Sequence, residues 1–247
     1  MGDAESFTSI AGFYDDLMKG VPYAMWTGYY LLLLAKQDVH PKAVLDVCCG
    51  TGTMCERLTK EGLQMTGFDG SEKMIAVARR KAARKKLDIR YECMDARTFA
   101  FEDTFDAAFS FFDSLNYIAT LEGFEQAVQR VAEHLPPGGS FIFDLNTAYA
   151  FEQSMFDQAN LSAKSRVRYD WRGQWDPDTR LIRVEMDFWH GDTKHHETHV
   201  QRAHSDDEVR AVLESAGFES VEVFDSYGLE RPKKTSDRVH YCAIRSG

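Results

Sequence analysis

The fold of this chain follows from one stretch, Val44-Leu45-Asp46-Val47-Cys48-Cys49-Gly50-Thr51-Gly52-Thr53. An apolar strand runs to the acidic Asp46, the chain turns through Gly50 and Gly52, and a helical pattern follows around Glu56. A strand, a Gly-x-Gly turn and a helix form the first half of a nucleotide-binding βαβ unit. Glycine is needed in such a turn because the backbone must bend sharply and let a ligand approach closely.

Two ligands commonly use this geometry. A dinucleotide places its pyrophosphate at the helix N-terminus and requires a third glycine, where this chain has Cys55. S-adenosylmethionine has no phosphate, and its methionine part is a zwitterion beside a sulfonium that needs backbone groups and a nearby carboxylate. Asp46, just before the turn, supplies that carboxylate. The pattern favours S-adenosylmethionine, and the alternative is a plain strand–helix turn in some other α/β protein.

The next predicted strand also ends at a carboxylate. Residues 64–69 predict this second strand, and Asp69 at its end can accept hydrogen bonds from both hydroxyls of a ribose. Gly70 and Ser71 follow, and Ser71 is a candidate N-cap for the helix that contains Met74. For Met74, contact with an adenine ring is the role that the family resemblance given below implies, and ordinary core packing is the alternative.

Two further strands continue the same order. Residues 89–96 predict a third strand, where the Asp95 carboxylate can accept from the adenine amine and the Ala96 amide can meet a ring nitrogen. Residues 105–111 predict a fourth strand that opens into a loop ending at Tyr117. A helix ended by a Pro-Pro-Gly-Gly turn and a fifth strand over residues 140–145 complete this part of the chain.

Together these segments resemble the ordered motifs of the class I S-adenosylmethionine-dependent methyltransferases over residues 40–147. The common family form has glycine where Cys48 stands. The resemblance implies an α/β fold with a doubly wound, mostly parallel seven-stranded sheet and an antiparallel β insertion after strand five. It implies these cofactor-binding residues: Tyr14, Trp26, Asp46, Cys48, Gly50, Gly52, Asp69, Gly70, Met74, Asp95, Ala96, Phe111 and Phe112.

The segment before the first strand carries a second resemblance. Tyr14-Asp15, Val21-Pro22-Tyr23 and Trp26 are similar to the N-terminal cap of small-molecule methyltransferases, which folds over the cofactor. A short helix is predicted around residues 13–18 and a longer one over 23–36, with core packing as the alternative role of its aromatic stripe.

The chain is predicted to form one domain with an inserted lobe. Residues 1–38 form the cap, 39–147 the cofactor-binding core, 148–203 the inserted β lobe, and 204–247 a helix and strand pair that return to the core. Strands are predicted over 167–175, 180–189 and 194–202, and they are expected to form a lid over the carboxyl end of the main sheet.

Composition limits the partners. The formal net charge of −10 argues against a broad nucleic-acid surface, and the seven basic residues between Arg79 and Arg90 are interpreted as a solvated helix face. The sequence contains no run of about 18 apolar residues, so no membrane span is predicted. The odd number of five cysteines, without a C-x-x-C pair, favours reduced thiols and a cytoplasmic protein. A monomer or a homodimer is expected.

Five of the eight histidines lie between His190 and His204. His195 and His199 have a spacing that suits a metal ion only on a helix. The surrounding alternation predicts a strand, in which four residues span about 13 Å. No metal site is predicted.

The function predicted from these residues is methyl transfer from S-adenosyl-L-methionine to a small-molecule acceptor. An RNA-modifying methyltransferase and a non-catalytic cofactor-binding protein are the alternatives. The candidate catalytic residues are Tyr14, Asp113, Tyr117 and His204, and the candidate acceptor-binding residues are Tyr23, Tyr117, Asn146 and Arg202. Because no convincing acid–base dyad is evident in the sequence, no single indispensable base is expected.

Overall fold

A computed structural model describes residues 7–247 of the protein. Its strands are β1 (Ala43–Val47), β2 (Gln64–Asp69), β3 (Arg90–Cys93), β4 (Ala107–Ser110), β5 (Ser140–Asn146), β6 (Gln158–Asn160), β7 (Val167–Asp176), β8 (Leu181–His190), β9 (Thr193–Arg202), β10 (Phe218–Asp225) and β11 (Arg238–Arg245). Its α-helices are α1 (Tyr14–Leu17), α2 (Tyr23–Lys36), α3 (Thr53–Lys60), α4 (Glu72–Lys85), α5 (Leu121–Glu133), α6 (Ala148–Glu152) and α7 (Asp206–Ser215).

The main sheet has seven strands in the order β10-β11-β5-β4-β1-β2-β3. The pairs β1–β2, β1–β4, β2–β3 and β4–β5 are parallel, whereas β11 runs antiparallel to both β5 and β10. The strand order reverses between β1 and β4, and ligands of open α/β sheets bind at such a switch point. The predicted fold class, with an antiparallel close of the sheet, is confirmed.

Alternating side chains of the central strands supply two separate cores. Val44 on β1 packs with helices α2, α3 and α4 on one face of the sheet. Its neighbour Leu45 packs on the opposite face with α5 and α7. The near-continuous burial of β1, β4 and β5 is the pattern of parallel strands that are covered on both faces.

Side-chain caps fix the starts of two helices. The Ser71 hydroxyl, the predicted N-cap, accepts from the Met74 amide at the start of α4. Ser205 and Glu208 form a complete capping box at the start of α7. These caps fix where each helix begins relative to the strand before it.

The backbone of the turn after β1 accounts for Gly50 and Gly52 and bears on Cys48. Gly50 and Gly52 have φ angles of +55° and +74°. A Cβ on Gly52 would lie 2.2 Å from the Tyr91 hydroxyl, so glycine is required there by space as well as by conformation. Cys48 also has a left-handed φ of +62°, at the position where the family commonly has glycine.

A second, antiparallel sheet follows strand five. Its order is β6-β7-β8-β9, and the three long strands match the predicted ones within a residue or two. The short strand β6 was not predicted, because its three residues are largely exposed and carry no alternation. The buried face of this sheet packs with Ile10 and Phe13 of the N-terminal segment.

The N-terminal segment begins with a short helix. The predicted helix over residues 13–18 is α1 followed by one 3-10 turn at Met18–Gly20, and α2 spans the predicted residues 23–36. Residues 1–6 of the predicted cap lie outside the described residues. No helix within residues 7–247 is long and apolar enough to cross a membrane.

Candidate active site

A cavity of about 560 Å³ lies at the carboxyl ends of the central strands. Its wall includes residues from the main sheet, the N-terminal segment and the inserted sheet. The predicted site residues that line it are Tyr14, Tyr23, Asp46, Cys48, Gly50, Asp69, Gly70, Met74, Asp95, Ala96, Phe111, Phe112, Asp113, Tyr117 and Asn146. The volume is in the usual range of about 300–1,000 Å³ for small-ligand sites.

Asp69 is held at the end of β2 by two backbone amides. One carboxylate oxygen accepts from the Gly50 amide at 2.9 Å and the other from the Ser71 amide at 2.8 Å. Each oxygen keeps a further acceptor position, so the carboxylate can also receive a pair of hydroxyl donors. Burial raises the pKa of Asp69, and the two amide hydrogen bonds oppose that rise.

Asp46 lies beneath the glycine turn and is 3% exposed. Its carboxyl group accepts a hydrogen bond from the Cys55 thiol at 3.1 Å. Burial raises the pKa of Asp46 to about 8; the thiol hydrogen bond opposes that rise, and the nearby Asp69 charge adds to it. A cationic ligand group beside Asp46 would therefore favour loss of its proton.

The third strand end is organised by an arginine. The Asp95 carboxylate accepts from the Arg97 amide at 2.8 Å and from the Arg97 guanidinium, and these contacts lower the pKa of Asp95. Ala96 and the almost fully buried Met74 line the cavity next to it. A carboxylate, a backbone amide and an apolar side chain together suit the edge and face of an adenine ring.

Aromatic rings form the next part of the wall. Phe111 and Phe112 follow β4, and Tyr23 approaches Phe112 with ring centroids 5.8 Å apart. Phe112 has a φ of +73° and the following Asp113 a φ of +48°. Two successive non-glycine residues in the left-handed region indicate a loop whose shape is imposed by its surroundings.

Those surroundings are an ion-pair network. Arg238 on β11 pairs with Asp113 at 2.7 Å and with Asp144 on β5. The Gln201 side chain donates to the second oxygen of Asp113 at 2.7 Å, and the Asp113 amide donates to Asp144. Both oxygens of Asp113 therefore already have donors, which favours a role in holding the loop.

The half of the cavity away from the cofactor motifs is mostly aromatic and aliphatic. Tyr14 and Phe7 from the N-terminal segment meet edge to face, with ring centroids 5.6 Å apart. Trp171 and Phe188 from the inserted sheet form the facing wall. Tyr117 stands between the two groups, with its ring centroid 5.4 Å from that of Phe7.

Comparison with known proteins identifies the family. The family described as "Methyltransferase domain" matches residues 44–139. A solved structure, an S-adenosylmethionine-dependent methyltransferase from Clostridium acetobutylicum ATCC 824, superposes with a TM-score of 0.86 at 25% identity, over 98% of this chain and 99% of that one. A putative methyltransferase of Geobacillus sp. (strain WCH70), GWCH70_2453, is 31% identical over 244 residues, covering 96% of this chain and 99% of the relative. The chain belongs to the class I S-adenosylmethionine-dependent methyltransferases.

A further relative of this methyltransferase has a more specific name. The dTDP-3-amino-3,4,6-trideoxy-alpha-D-glucopyranose N,N-dimethyltransferase of Streptomyces venezuelae is 34% identical over 128 residues. That similarity covers 52% of each chain.

Four of the predicted site residues do not line the cavity of the methyltransferase. Trp26 lies behind Phe112, 3.9 Å between ring centroids, and stacks on Tyr227. Gly52 is the N-cap of α3, packed under Tyr91.

The other two are Arg202, the last residue of β9, and His204, two positions beyond it. Arg202 pairs with Glu208 of the capping box at 2.7 Å. His204 stacks on Phe124, its Nε2 is 3.1 Å from the Ile118 carbonyl, and burial lowers the pKa of His204 to about 4. Its position indicates a neutral histidine of the core, so we assign it no part in the chemistry.

A polar cluster on β9 was not predicted from the sequence. Glu197, His199 and Gln201 alternate along the buried face of that strand. Their alternation in the sequence could have indicated a polar cluster on one face of the strand. Its hydrogen-bond partners could not be predicted, because Tyr117 and Asp113 lie more than 80 residues earlier in the chain. His195 instead lies against Phe13, with ring centroids 5.0 Å apart and the rings tilted. No group of metal-ligating residues occurs in the part of the chain that the structure describes.

Proposed function

We propose that this methyltransferase transfers the methyl group of S-adenosyl-L-methionine to an amine nitrogen of a small-molecule acceptor. The observation that carries the proposal is the single cavity that joins the cofactor motifs to a compartment closed by the N-terminal segment and the inserted sheet. Such a compartment suits an acceptor that is enclosed on most sides.

The cofactor half has the groups that S-adenosylmethionine requires. We assign Asp69 to the ribose hydroxyls, Asp95 and Ala96 to the adenine edge, and Asp46 to the ammonium of the methionine part; all four residues line the cavity. When bound, the sulfonium supplies an activated methyl group. The tyrosine and phenylalanine rings around it suit the spread of positive charge during transfer, and they exclude water.

The acceptor half favours a neutral or amine-bearing molecule. The two arginines on the cavity wall are neutralised, Arg97 by Asp95 and Arg238 by Asp113 and Asp144. Two residues of the wall, Asn146 and Gln201, each have a buried polar atom, Nδ2 and Oε1 respectively, with no hydrogen-bond partner within residues 7–247. A donor and an acceptor of this kind suit hydroxyl groups of a polar acceptor.

The similarity to a Streptomyces venezuelae N,N-dimethyltransferase supports nitrogen as the acceptor atom. The basic segment between Arg79 and Arg90 gives little support to an RNA acceptor, because several of its charges are paired. The pairs are Arg79 with Glu92, Lys81 with Asp15, Lys85 with Glu56 and Arg90 with Asp103.

The proposal is tested with trideuteromethyl-labelled S-adenosylmethionine and mass spectrometry. The acceptors are methyl 3-amino-3-deoxy-α-D-glucopyranoside, its matched hydroxyl compound methyl α-D-glucopyranoside, and total tRNA. We expect label on the amine and at least tenfold less on the other two. Label on tRNA alone would contradict the proposal, and saturable cofactor binding without transfer to any acceptor would favour the non-catalytic alternative.

A further inference from the structure

Three side chains form a hydrogen-bonded chain that leads away from the acceptor compartment. The Tyr117 hydroxyl lies 2.9 Å from Nδ1 of His199, and Nε2 of His199 lies 2.7 Å from the Glu197 carboxylate. Tyr117 lines the cavity, whereas His199 is completely buried and Glu197 is 8% exposed. The sequence places these residues on two elements, the loop after β4 and strand β9.

The direction of the hydrogen bonds follows from the carboxylate. Burial raises the pKa of Glu197, but hydrogen bonds from His199 and Ser9 outweigh it and leave that pKa below the ordinary value. An ionised carboxylate only accepts, so Nε2 of His199 must donate to it. In the neutral imidazole Nδ1 then accepts, and the Tyr117 hydroxyl donates to it.

The other polar groups near Tyr117 are less suited to take up its proton. Asp113 faces Tyr117 but is paired with Arg238, and Gln201 donates to that same carboxylate. The Tyr14 phenol faces Tyr117 across the compartment, and burial holds the pKa of Tyr14 well above its usual value. Of these groups, the His199–Glu197 pair is the one placed to take up a proton from Tyr117.

We propose that Tyr117 is a catalytic residue that removes a proton from the acceptor ammonium, and that His199 and Glu197 are positioning residues that receive the proton displaced from Tyr117. This inference rests on the proposed amine acceptor. It assigns an acid–base system to a site where the sequence indicated none.

The proton balance is complete within these groups. An amine arrives largely as the ammonium ion near pH 7, and its nitrogen has no free lone pair. One N–H proton moves to the Tyr117 oxygen while the original Tyr117 proton moves to Nδ1 of His199, and Glu197 stabilises the resulting imidazolium. The freed lone pair forms the new nitrogen–carbon bond as the carbon–sulfur bond breaks. After product release the transfer runs in reverse: His199 returns its proton to the Tyr117 oxygen while Tyr117 gives its own proton to water in the cavity.

Glu197 has a second, structural role that the test must separate. It accepts hydrogen bonds from the Phe7 amide and from the amide and hydroxyl of Ser9, at 2.7–2.8 Å. It therefore fastens the N-terminal segment that closes the cavity. Ser9→Ala loosens this attachment and leaves His199 untouched, so it serves as the matched control for Glu197→Gln.

The first test is Tyr117→Phe, which removes the hydroxyl and keeps the ring. With methyl 3-amino-3-deoxy-α-D-glucopyranoside we expect kcat/KM to fall roughly 100-fold at pH 7, since general acid–base catalysis contributes about 10²–10⁴-fold. The loss should shrink as the pH rises and the amine loses its proton in solution. Tyr169→Phe, on β7 and outside the cavity, should stay within threefold of wild type. A Tyr117→Phe loss that is absent, or equal at pH 7 and pH 10, would overturn the proposal.

The second test is the pH profile of Glu197→Gln. Loss of the carboxylate destabilises the His199 cation, so we expect the acid limb of log kcat/KM to move to lower pH while the plateau falls about tenfold. Ser9→Ala should leave the position of the limb unchanged. Equal profiles for Glu197→Gln and Ser9→Ala would assign Glu197 to fastening the segment and would overturn the relay.

A third measurement needs no turnover. Nitrogen-15 NMR of the complex with S-adenosylhomocysteine should show His199 protonated at Nε2 and not at Nδ1 at pH 8. A proton on Nδ1 would overturn the relay, because that atom could not accept from Tyr117. If the wild-type protein fails to methylate the amino sugar, the proposed acceptor class is contradicted. The tautomer of His199 still tests, independently of turnover, whether Nδ1 can accept a proton from Tyr117.

Discussion

Binding of S-adenosylmethionine should release a proton from Asp46. The carboxyl group is buried beneath the glycine turn, and burial raises the pKa of Asp46 to about 8. At pH 7 about nine-tenths of the free protein therefore carries this proton. The ammonium of the methionine part favours the ionised carboxylate, so complete ionisation on binding releases about 0.9 proton per site at pH 7 and much less at pH 9.

The release is measured by titration calorimetry at pH 7 in buffers of different ionisation enthalpy. The slope of the observed enthalpy against the buffer enthalpy gives the number of protons. 5′-Methylthioadenosine is the matched ligand, because it keeps the ribose that would contact Asp69 and lacks the amino-acid part. The difference between the two ligands isolates Asp46, and it should vanish in Asp46→Asn. A difference below 0.2 proton, or one that persists in Asp46→Asn, would refute the reasoning.

Three further predictions concern the frame of the site. Asp69→Ala should weaken S-adenosylmethionine binding at least tenfold by calorimetry, because two charge-assisted hydrogen bonds worth about 1.5–3 kcal/mol each are lost; undiminished affinity in a folded variant would exclude the ribose role. Arg238→Met should lower the free energy of unfolding, measured by urea titration, by roughly 3–5 kcal/mol, because Asp113 and the fully buried Asp144 lose their cation. A loss under 1 kcal/mol would contradict that account. Burial lowers the pKa of His204 to about 4, below its unfolded value near 6.5, so stability is retained above pH 6.5 and lost as the pH falls toward 4. Between pH 7 and pH 5, protonation of His204 should lower the free energy of unfolding by about 2 kcal/mol. In urea titrations at the two pH values, the His204→Gln variant should therefore lose about 2 kcal/mol less than the wild type.

Local patterns were sufficient to predict which residues at the strand ends meet on the cavity wall. Asp46, Gly50, Asp69 and Asp95 each lie at, or just beyond, the end of a predicted strand, and parallel strands bring their carboxyl ends to one edge of the sheet. No long-range information was needed, because the order of the motifs along the chain specifies their order in space. The same logic predicted the three long strands of the inserted sheet from their alternation.

The acceptor half could not be predicted in the same way. His199 meets Tyr117 because β9 pairs with β8 and packs against the loop after β4, and neither contact has a local sequence signature. His204 resembled a site residue from its place at the junction, yet two positions beyond Arg202 the chain already enters the core against Phe124. Side-chain direction at a junction depends on tertiary packing, which periodicity does not encode.

The most direct test of the account is a crystal structure of the protein with S-adenosylhomocysteine and methyl 3-amino-3-deoxy-α-D-glucopyranoside. We predict the ribose at Asp69, the adenine between Met74 and Ala96, and the amine nitrogen within hydrogen-bond distance of the Tyr117 hydroxyl, on the side of the sulfur that faces the inserted sheet. A cofactor product bound outside this cavity, or a sulfur atom that faces away from Tyr117 and the inserted sheet, would contradict the account.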